Sequence, residues 1–418
     1  MRDVELHEQA RKLDAADPLA GYRDRFVIAD PDLIYLNGNS LGRLPVATRE
    51  RLRRAIDVEW GEDLIRGWDR WITLGREVGD VIAGVVGAAP GEVVLSDSTS
   101  LNLYKLAVAA CDARPGRRVI VTDDDNFPTD LYVLQGVAAA RGMQLRVVES
   151  DLDSGVRAAA VAAALDADVA LVSLSHVAYR SGGIADLPGI TAAAHEAGAL
   201  ILWDLSHSAG SVPVGLRAAG VDMAVGCTYK HLNAGPGAPA FLYVRDDLQA
   251  TLRQPVWGWF GQRNQFDMAD VYDPVESVDR FLVGTPPVLA GYAALEGARI
   301  TADAGIEAIA AKGAALGSYA ISLFDAWLAP LGLALASPRD DARRGAHVTL
   351  HHPDAWRICQ ALKRASVIPD FRTPDRVRLG LSPLYTRFVD VHTALVRLRE
   401  IVATRSYEEF PTERTRVT

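Results

Sequence analysis

"VALVSLSHVAYRSGGIADLPGITAAAHEAGALILWD" runs from Val169 to Asp204. It opens on a short apolar run (169–175), passes through a helical pattern that stops at Gly198, and closes on a second apolar run that ends in a carboxylate. A buried strand, a helix and a second buried strand in this order make a βαβ unit. The same rhythm extends in both directions. "RRVIVTD" (117–123) reads as a strand, "DLYVLQGVAAARG" (130–142) as a helix, "QLRVVES" (144–150) as a strand and "GVRAAAVAAALD" (155–166) as a helix. "MAVGCT" (223–228) and "PAFLYV" (239–244) add two strands. The pattern predicts an α/β fold in which helices sandwich a mostly parallel sheet. Open sheets of this kind bind ligands beyond the C-terminal ends of their strands, so the polar residues there carry most of the information.

A chain of 418 residues is too long for one compact core. From about residue 300 the texture changes. "LALAS", "AHVTLHH" and "RVRLGLS" look like antiparallel strands, with helices near 354–365 and 387–404. The expected division is a large ligand-binding domain over 51–295 and a smaller α+β domain over 296–418, with residues 1–50 packing on the latter. With 49% hydrophobic and 23% charged residues, the composition is that of a soluble globular protein. A net charge of -9 argues against nucleic acid or an anionic membrane as partner. The first residues, "MRDVELHEQARKLDAADPLAGYRDRF", lack the apolar core of a secretory signal, and no uncharged apolar run reaches the roughly 18 residues of a spanning helix. Cys111, Cys227 and Cys359 are odd in number and far apart, which fits reduced thiols in a cytoplasm.

The strand ends hold a distinctive set. "ALILW" is followed by Asp204, and "MAVGC" by Thr228-Tyr229-Lys230. Taken alone, an Asp and a Lys at neighbouring strand ends read as a buried ion pair as readily as a site. "SDSTSLN" (96–102) puts Thr99 and Ser100 at a helix start, where free N–H groups can cradle a phosphate; simple capping is the plainer reading. "NFPTD" (126–130) offers Phe127 and Asp130 at another strand end. One amine, one carboxylate, an aromatic platform and a phosphate cradle are the parts that pyridoxal phosphate needs. The lysine bonds to the aldehyde, and the aspartate keeps the pyridine nitrogen protonated.

"YLNGNSLGRLP" (35–45), "NFPTD" (126–130), "WDLSHSAG" (203–210), "CTYKHLNAGPGAPAFLYV" (227–244), "GWFG" (258–261), "VGTPPVL" (283–289) and "VRLGLSPLYTRF" (377–388) resemble, in order, the kynureninases. These belong to the aminotransferase class V group of fold-type-I pyridoxal-phosphate enzymes. The resemblance implies hydrolysis of L-kynurenine to anthranilate and L-alanine in tryptophan catabolism, with 3-hydroxykynurenine as a second substrate. It makes Lys230 the Schiff-base lysine and Asp204 the partner of the pyridine nitrogen. His207 would lie against the cofactor, and Tyr229 would reach its phosphate and is a candidate proton donor. Thr99 and Ser100 match the phosphate turn. Phe127 matches the stacking ring, Asp130 a group at its polar edge, and Ser175 a further contact. Trp259 and Thr285 match phosphate contacts from the neighbouring subunit, which implies a homodimer. Arg378 matches the arginine that grips the substrate carboxylate, and its planar fork suits that task. Trp68 and Trp71 are candidates for the aryl slot, with core packing the plainer reading of both. One departure stands beside the lysine, where "YKHLN" replaces the expected "YKYLN".

Rival readings have specific requirements. A cysteine desulfurase or selenocysteine lyase needs a poised nucleophilic cysteine, and none of the three sits in a promising context. A non-catalytic protein on the same fold would be expected to lack the lysine or the aspartate. A nucleotide-binding protein would show a fuller glycine fingerprint than "NAGPGAPA". His347, His351 and His352 lack the companions of a transition-metal site. Asp123-Asp124-Asp125 reads as a solvated loop without calcium-loop spacing, and "RERLRRAI" (49–56) as an exposed helix face.

Overall fold

The computed structural model describes residues 2–414. Among these, seven strands form the central sheet. They are β1 (Val93–Ser96), β2 (Val119–Asp123), β3 (Gln144–Val148), β4 (Val169–Ser175), β5 (Leu200–Asp204), β6 (Met223–Gly226) and β7 (Ala240–Val244). The spatial order is β1-β7-β6-β5-β4-β2-β3. Only β7 is antiparallel to its neighbours in this order. The sheet is therefore mostly parallel, as the alternating pattern predicts.

Both faces of the sheet are covered, which explains the near-continuous apolar strands. On one side Val121, Val172, Ile201, Trp203 and Phe241 join one hydrophobic cluster. On the other, Ile120, Leu171, Leu202, Val225 and Leu242 join another. Each such fully buried side chain contributes about 1.5–3 kcal/mol relative to exposure. The covering helices include α1 (Leu74–Val86), α2 (Thr99–Asp112), α3 (Pro128–Arg141) and α4 (Leu187–Glu196). The predicted helix over 155–166 shrinks to Ala158–Ala163, within which only Val161 is buried.

The next helix, α5 (Val288–Ala304), packs on the sheet domain through Tyr292, Leu295 and Ala298. A division between 295 and 296 falls inside this helix, whose apolar residues on both sides of that point enter the same core. The change of core follows Gly305. Beyond it, α6 (Ile306–Leu323) sends Leu316, Tyr319 and Leu323 into a second core. A four-stranded sheet shares that core: β8 (Ala334–Leu335), β9 (His347–His351), β10 (Asp370–Arg372) and β11 (Arg376–Gly380), all in antiparallel pairs. Two helices, α7 (Ala355–Arg364) and α8 (Phe388–Ala403), cover it. Ala10, Ile34 and Leu36 enter this second core, and Ile34–Tyr35 pairs with Val367–Ile368. The stretch Ile306–Leu331 is long and apolar enough to cross a membrane by length and composition, and half of its most apolar 18-residue window is buried inside the molecule, as in a core helix.

Gly297 of α5 lies against the loop that follows Lys230, and a Cβ there would come within 1.9 Å of the Leu232 carbonyl oxygen. Gly297→Ala is expected to destabilise by about 1–3 kcal/mol through overpacking. Gly136, on the open side of α3 with nothing within 4 Å of a Cβ, should respond oppositely, Gly136→Ala stabilising by roughly 0.5–1 kcal/mol. Urea denaturation of the two variants measures this contrast, and equal effects would contradict the close approach of α5.

Candidate active site

At the C-terminal edge of the sheet, Ser175 of β4 and Asp204 of β5 stand side by side in register. Asp204 is buried. Its Oδ1 accepts hydrogen bonds from the Ser206 N–H at 2.8 Å and the Ser206 hydroxyl at 2.6 Å. The chain leaving β6 is pinned twice. The Thr228 hydroxyl donates to the Pro239 carbonyl at 2.6 Å, and the Gly42 N–H donates to the Tyr229 carbonyl at 2.8 Å. Between these fixtures Lys230 turns inward. Its Nζ lies 3.0 Å from His207 Nε2 and 5.8 Å from the centre of the Phe127 ring.

Two helix starts close the space. At α2 the Ser98 hydroxyl caps the Leu101 N–H, leaving Thr99 and Ser100 in the first turn. Before α3, Asn126 Oδ1 accepts from the Phe127 N–H and the Ser175 hydroxyl, both at 2.8 Å. Asn126 thereby ties two strand ends together. Asp130 in the first turn of α3 is buried, and its Oδ2 has no hydrogen-bond partner among the described residues. Thr99, Ser100, Phe127, Asp130, Ser175, Asp204, His207, Tyr229 and Lys230 all line one cavity of about 140 Å³. Thr129, Tyr179 and Ser206 complete its wall. Sequence reasoning did not single out Asn126 or Ser206, although each lies two residues or fewer from a residue it did choose.

Burial sets the electrostatics of this cavity. Burial pushes the Asp204 carboxyl up against the opposing pull of the Lys230 charge. Burial, and then the Asp204 charge, hold the Asp130 carboxyl well above its ordinary range. Burial and the Lys230 charge push His207 well down, so its imidazole is neutral and can accept from the amine. The neighbouring Cys227 thiol and burial both raise the Tyr229 phenol, which stays protonated. All three cysteines are buried, and burial raises each thiol, Cys111 to about 12. None has the exposed, electropositive setting of a nucleophile.

Five expected residues, Arg378, Trp68, Trp71, Trp259 and Thr285, stand outside this cavity. Arg378 on β11 is fully buried, and its guanidinium donates to Asp370, to the Tyr179 carbonyl and, at 2.8 Å, to the Ser40 hydroxyl. Trp68 does not reach the Lys230 cavity. It packs edge-on against Trp259 at 6.2 Å and Trp71 at 6.4 Å, and against Phe260 at 6.2 Å, because the short helix Trp68–Trp71 is held beside the Trp259–Gly261 turn. Thr285 is exposed and lines a separate cavity of about 460 Å³ together with Phe260, Ser96 and Asp97. That larger cavity contains no lysine, so the amine chemistry belongs to the smaller one. The acidic run also differs from expectation. Asp123 and Asp125 are buried rather than solvated, because Asp123 Oδ1 accepts from the Asp125 N–H and the Ser150 hydroxyl, and Asp125 pairs with Arg180. Among the described residues no cluster of His, Cys, Asp or Glu could hold a metal ion.

A curated kynureninase from Burkholderia pseudomallei strain 1106a is 42% identical over 419 residues, spanning 98% of this chain and 99% of the relative. The chain belongs to the kynureninase family. A family model described as the kynureninase C-terminal domain matches residues 309–398. Among solved structures, a cysteine desulfurase from Thermococcus onnurineus NA1 superposes with a TM-score of 0.78 at 20% identity, covering 89% of this chain and 95% of its own. A C-DES variant with glycine covalently linked to its PLP cofactor gives 0.76 at 19%, covering 88% and 97%. At these identities the two structures establish the fold, and the kynureninase relative establishes the family. The cavity suits pyridoxal phosphate on its own terms. It offers a free amine, a carboxylate oriented by two donors, a helix start for an anion and a buried Asp130 oxygen still lacking a partner.

Burial raises Asp123 to about 6 from an ordinary 3.8. Between those values the native state holds more protons on this group than the unfolded chain does, so its contribution to stability falls as pH rises through that window. Asp123→Asn should therefore gain stability over the parent at neutral pH, with the gain fading below about pH 4. Denaturant titrations from pH 4 to pH 8 measure the gap, and a gap that does not change with pH would contradict this reading.

Proposed function

We propose that this protein uses pyridoxal phosphate to hydrolyse L-kynurenine to anthranilate and L-alanine, with 3-hydroxykynurenine as a second substrate. The observation that carries the reading is the meeting of Lys230, Asp204 and the α2 start in one buried cavity. The family relationship selects this reaction among those that such a cavity could support.

When bound, pyridoxal phosphate supplies an electron-poor ring that stabilises negative charge at the substrate Cα. Lys230 would hold it through Nζ, and the same amine, when free, would serve as general base for the Cα proton. His207 accepts a hydrogen bond from that amine at Nε2 and keeps it directed into the cavity. Asp204, fixed by both Ser206 donors, holds the proton of the ring nitrogen. Thr99 and Ser100 bind the phosphate with hydroxyl and backbone N–H groups at a helix start, where the dipole favours an anion. Phe127 would stack on the ring, and Asp130 and Ser175, which line the same cavity, would face its polar substituents. Tyr229 keeps its phenolic proton and is the candidate donor to the product side of the broken Cβ–Cγ bond. Arg378 is the cation for the substrate carboxylate, held ready by Asp370 and Ser40.

The active unit is a homodimer in this proposal. Trp259 and Thr285, and with them Trp68, serve the partner's cavity. Exposed apolar side chains support it: Phe266, whose ring lies 5.8 Å from Trp259, and Trp257, Met268 and Val271 on the same stretch of chain, with Trp60 and Ile65 shortly before Trp68. Such a concentration of apolar surface marks an interaction site. The buried, unpaired thiols agree with a cytoplasmic location. The buried thiols also weigh against the desulfurase alternative.

The test adds L-kynurenine to the purified protein and follows anthranilate by fluorescence. Turnover is expected, and Lys230→Ala should lower it by at least about 10³-fold, because it removes both the anchor and the base. Undiminished turnover by Lys230→Ala would overturn the assignment.

A further inference from the structure

Lys105, in the second turn of α2, is fully buried, and no step of the proposed reaction uses it. Its ammonium has three donors and three acceptors. Nζ donates to the Ser96 hydroxyl at 3.1 Å, to Asp97 Oδ2 at 2.7 Å and to the Phe281 carbonyl at 2.7 Å. The first two acceptors belong to the turn that leads into Thr99 and Ser100. Asp97 there adopts a left-handed φ of 43°, a conformation that costs a non-glycine residue energy and persists only when its surroundings hold it. The Ser96 hydroxyl adds a hydrogen bond to Asp97 Oδ2 at 2.7 Å, and Asn102 Nδ2 donates to the Ser96 carbonyl at 2.7 Å.

The third acceptor opens the segment that carries Thr285. Phe281 ends a short 3-10 turn, and two residues later the Val283 carbonyl accepts from the Phe260 N–H at 3.4 Å, next to Trp259. One buried ammonium therefore sits between two elements. One is the phosphate turn of its own cavity. The other is the segment bearing Trp259 and Thr285.

We infer that Lys105 is a positioning residue that sets the register between these two phosphate-binding elements, and through them ties one subunit's cofactor site to its partner's. The inference rests on the proposed pyridoxal-phosphate function and on the dimer. Without the ammonium, the Asp97 turn loses its counter-charge and Phe281 its tether, so both sets of phosphate contacts loosen while Lys230 and Asp204 stay in place.

The experiment measures the dissociation constant of pyridoxal phosphate for the full-length dimer, by dialysis and then titration followed through cofactor absorbance. Lys105→Met should raise it by at least about tenfold, with kcat at saturating cofactor and KM for L-kynurenine close to the parent values. Asp97→Asn, at a partly exposed position, removes the counter-charge with less risk to folding and should raise the constant in the same direction. A core variant matched for loss of Tm, Leu350→Ala in the small domain, should leave it unchanged. A lower Tm with parental cofactor affinity in Asp97→Asn and in any folded Lys105→Met would overturn the inference and leave a purely structural ion cluster. Failure of the parent protein itself to bind pyridoxal phosphate would instead overturn the function on which it rests.

Discussion

The Lys230 amine lies 3.0 Å from a neutral imidazole in a buried cavity that a buried carboxyl also lines. Much of the large domain serves to hold this arrangement. Parallel strands deliver Ser175 and Asp204 in register, Ser206 aims the carboxylate, and the first segment of the chain crosses behind the lysine through Gly42. Helix starts at Thr99 and Pro128 supply the remaining walls.

The small domain contributes through β10 and β11. Asp370 and Arg378 are cross-strand partners, so the register of this hairpin places the carboxylate beside the guanidinium. Ser40 bonds to both groups, which brings the N-terminal segment into the same cluster. Asp370 and Ser40 thereby fix the orientation of the buried Arg378 guanidinium. The separation of Trp68, Trp259 and Thr285 from the Lys230 cavity has a physical counterpart in the exposed apolar side chains around them.

Much of this was legible in the sequence because parallel strands buried on both faces are apolar without interruption, and their ends are marked by the first polar residue. β4 was bounded correctly from residue pattern, and Asp204 and Lys230 followed from strand ends. What escaped depends on loop closure and on register. Ser206 and Asn126 lie inside stretches that drew attention, but their hydrogen bonds form only when loops fold back over the strand ends. The burial of Asp123 and Asp125 could not be inferred from a run of three acids, since its cause is Ser150 and Arg180 on other segments. The partnership of Arg378 with Asp370 needs the hairpin alignment. Trp68 was placed by residue type, and its true neighbours come from a turn far along the chain. The change of core at Gly305 falls between two helices in immediate succession, α5 ending at Ala304 and α6 beginning at Ile306, so the helical texture shows no break there.

The most direct test of the account is to ask which lysine holds the cofactor. Hydride reduction of the protein with bound pyridoxal phosphate, followed by peptide mass mapping, fixes the bond where it stands. The account predicts a single pyridoxyl adduct on Lys230. An adduct on Lys105 or another lysine, or no adduct in a protein that binds the cofactor, would contradict it.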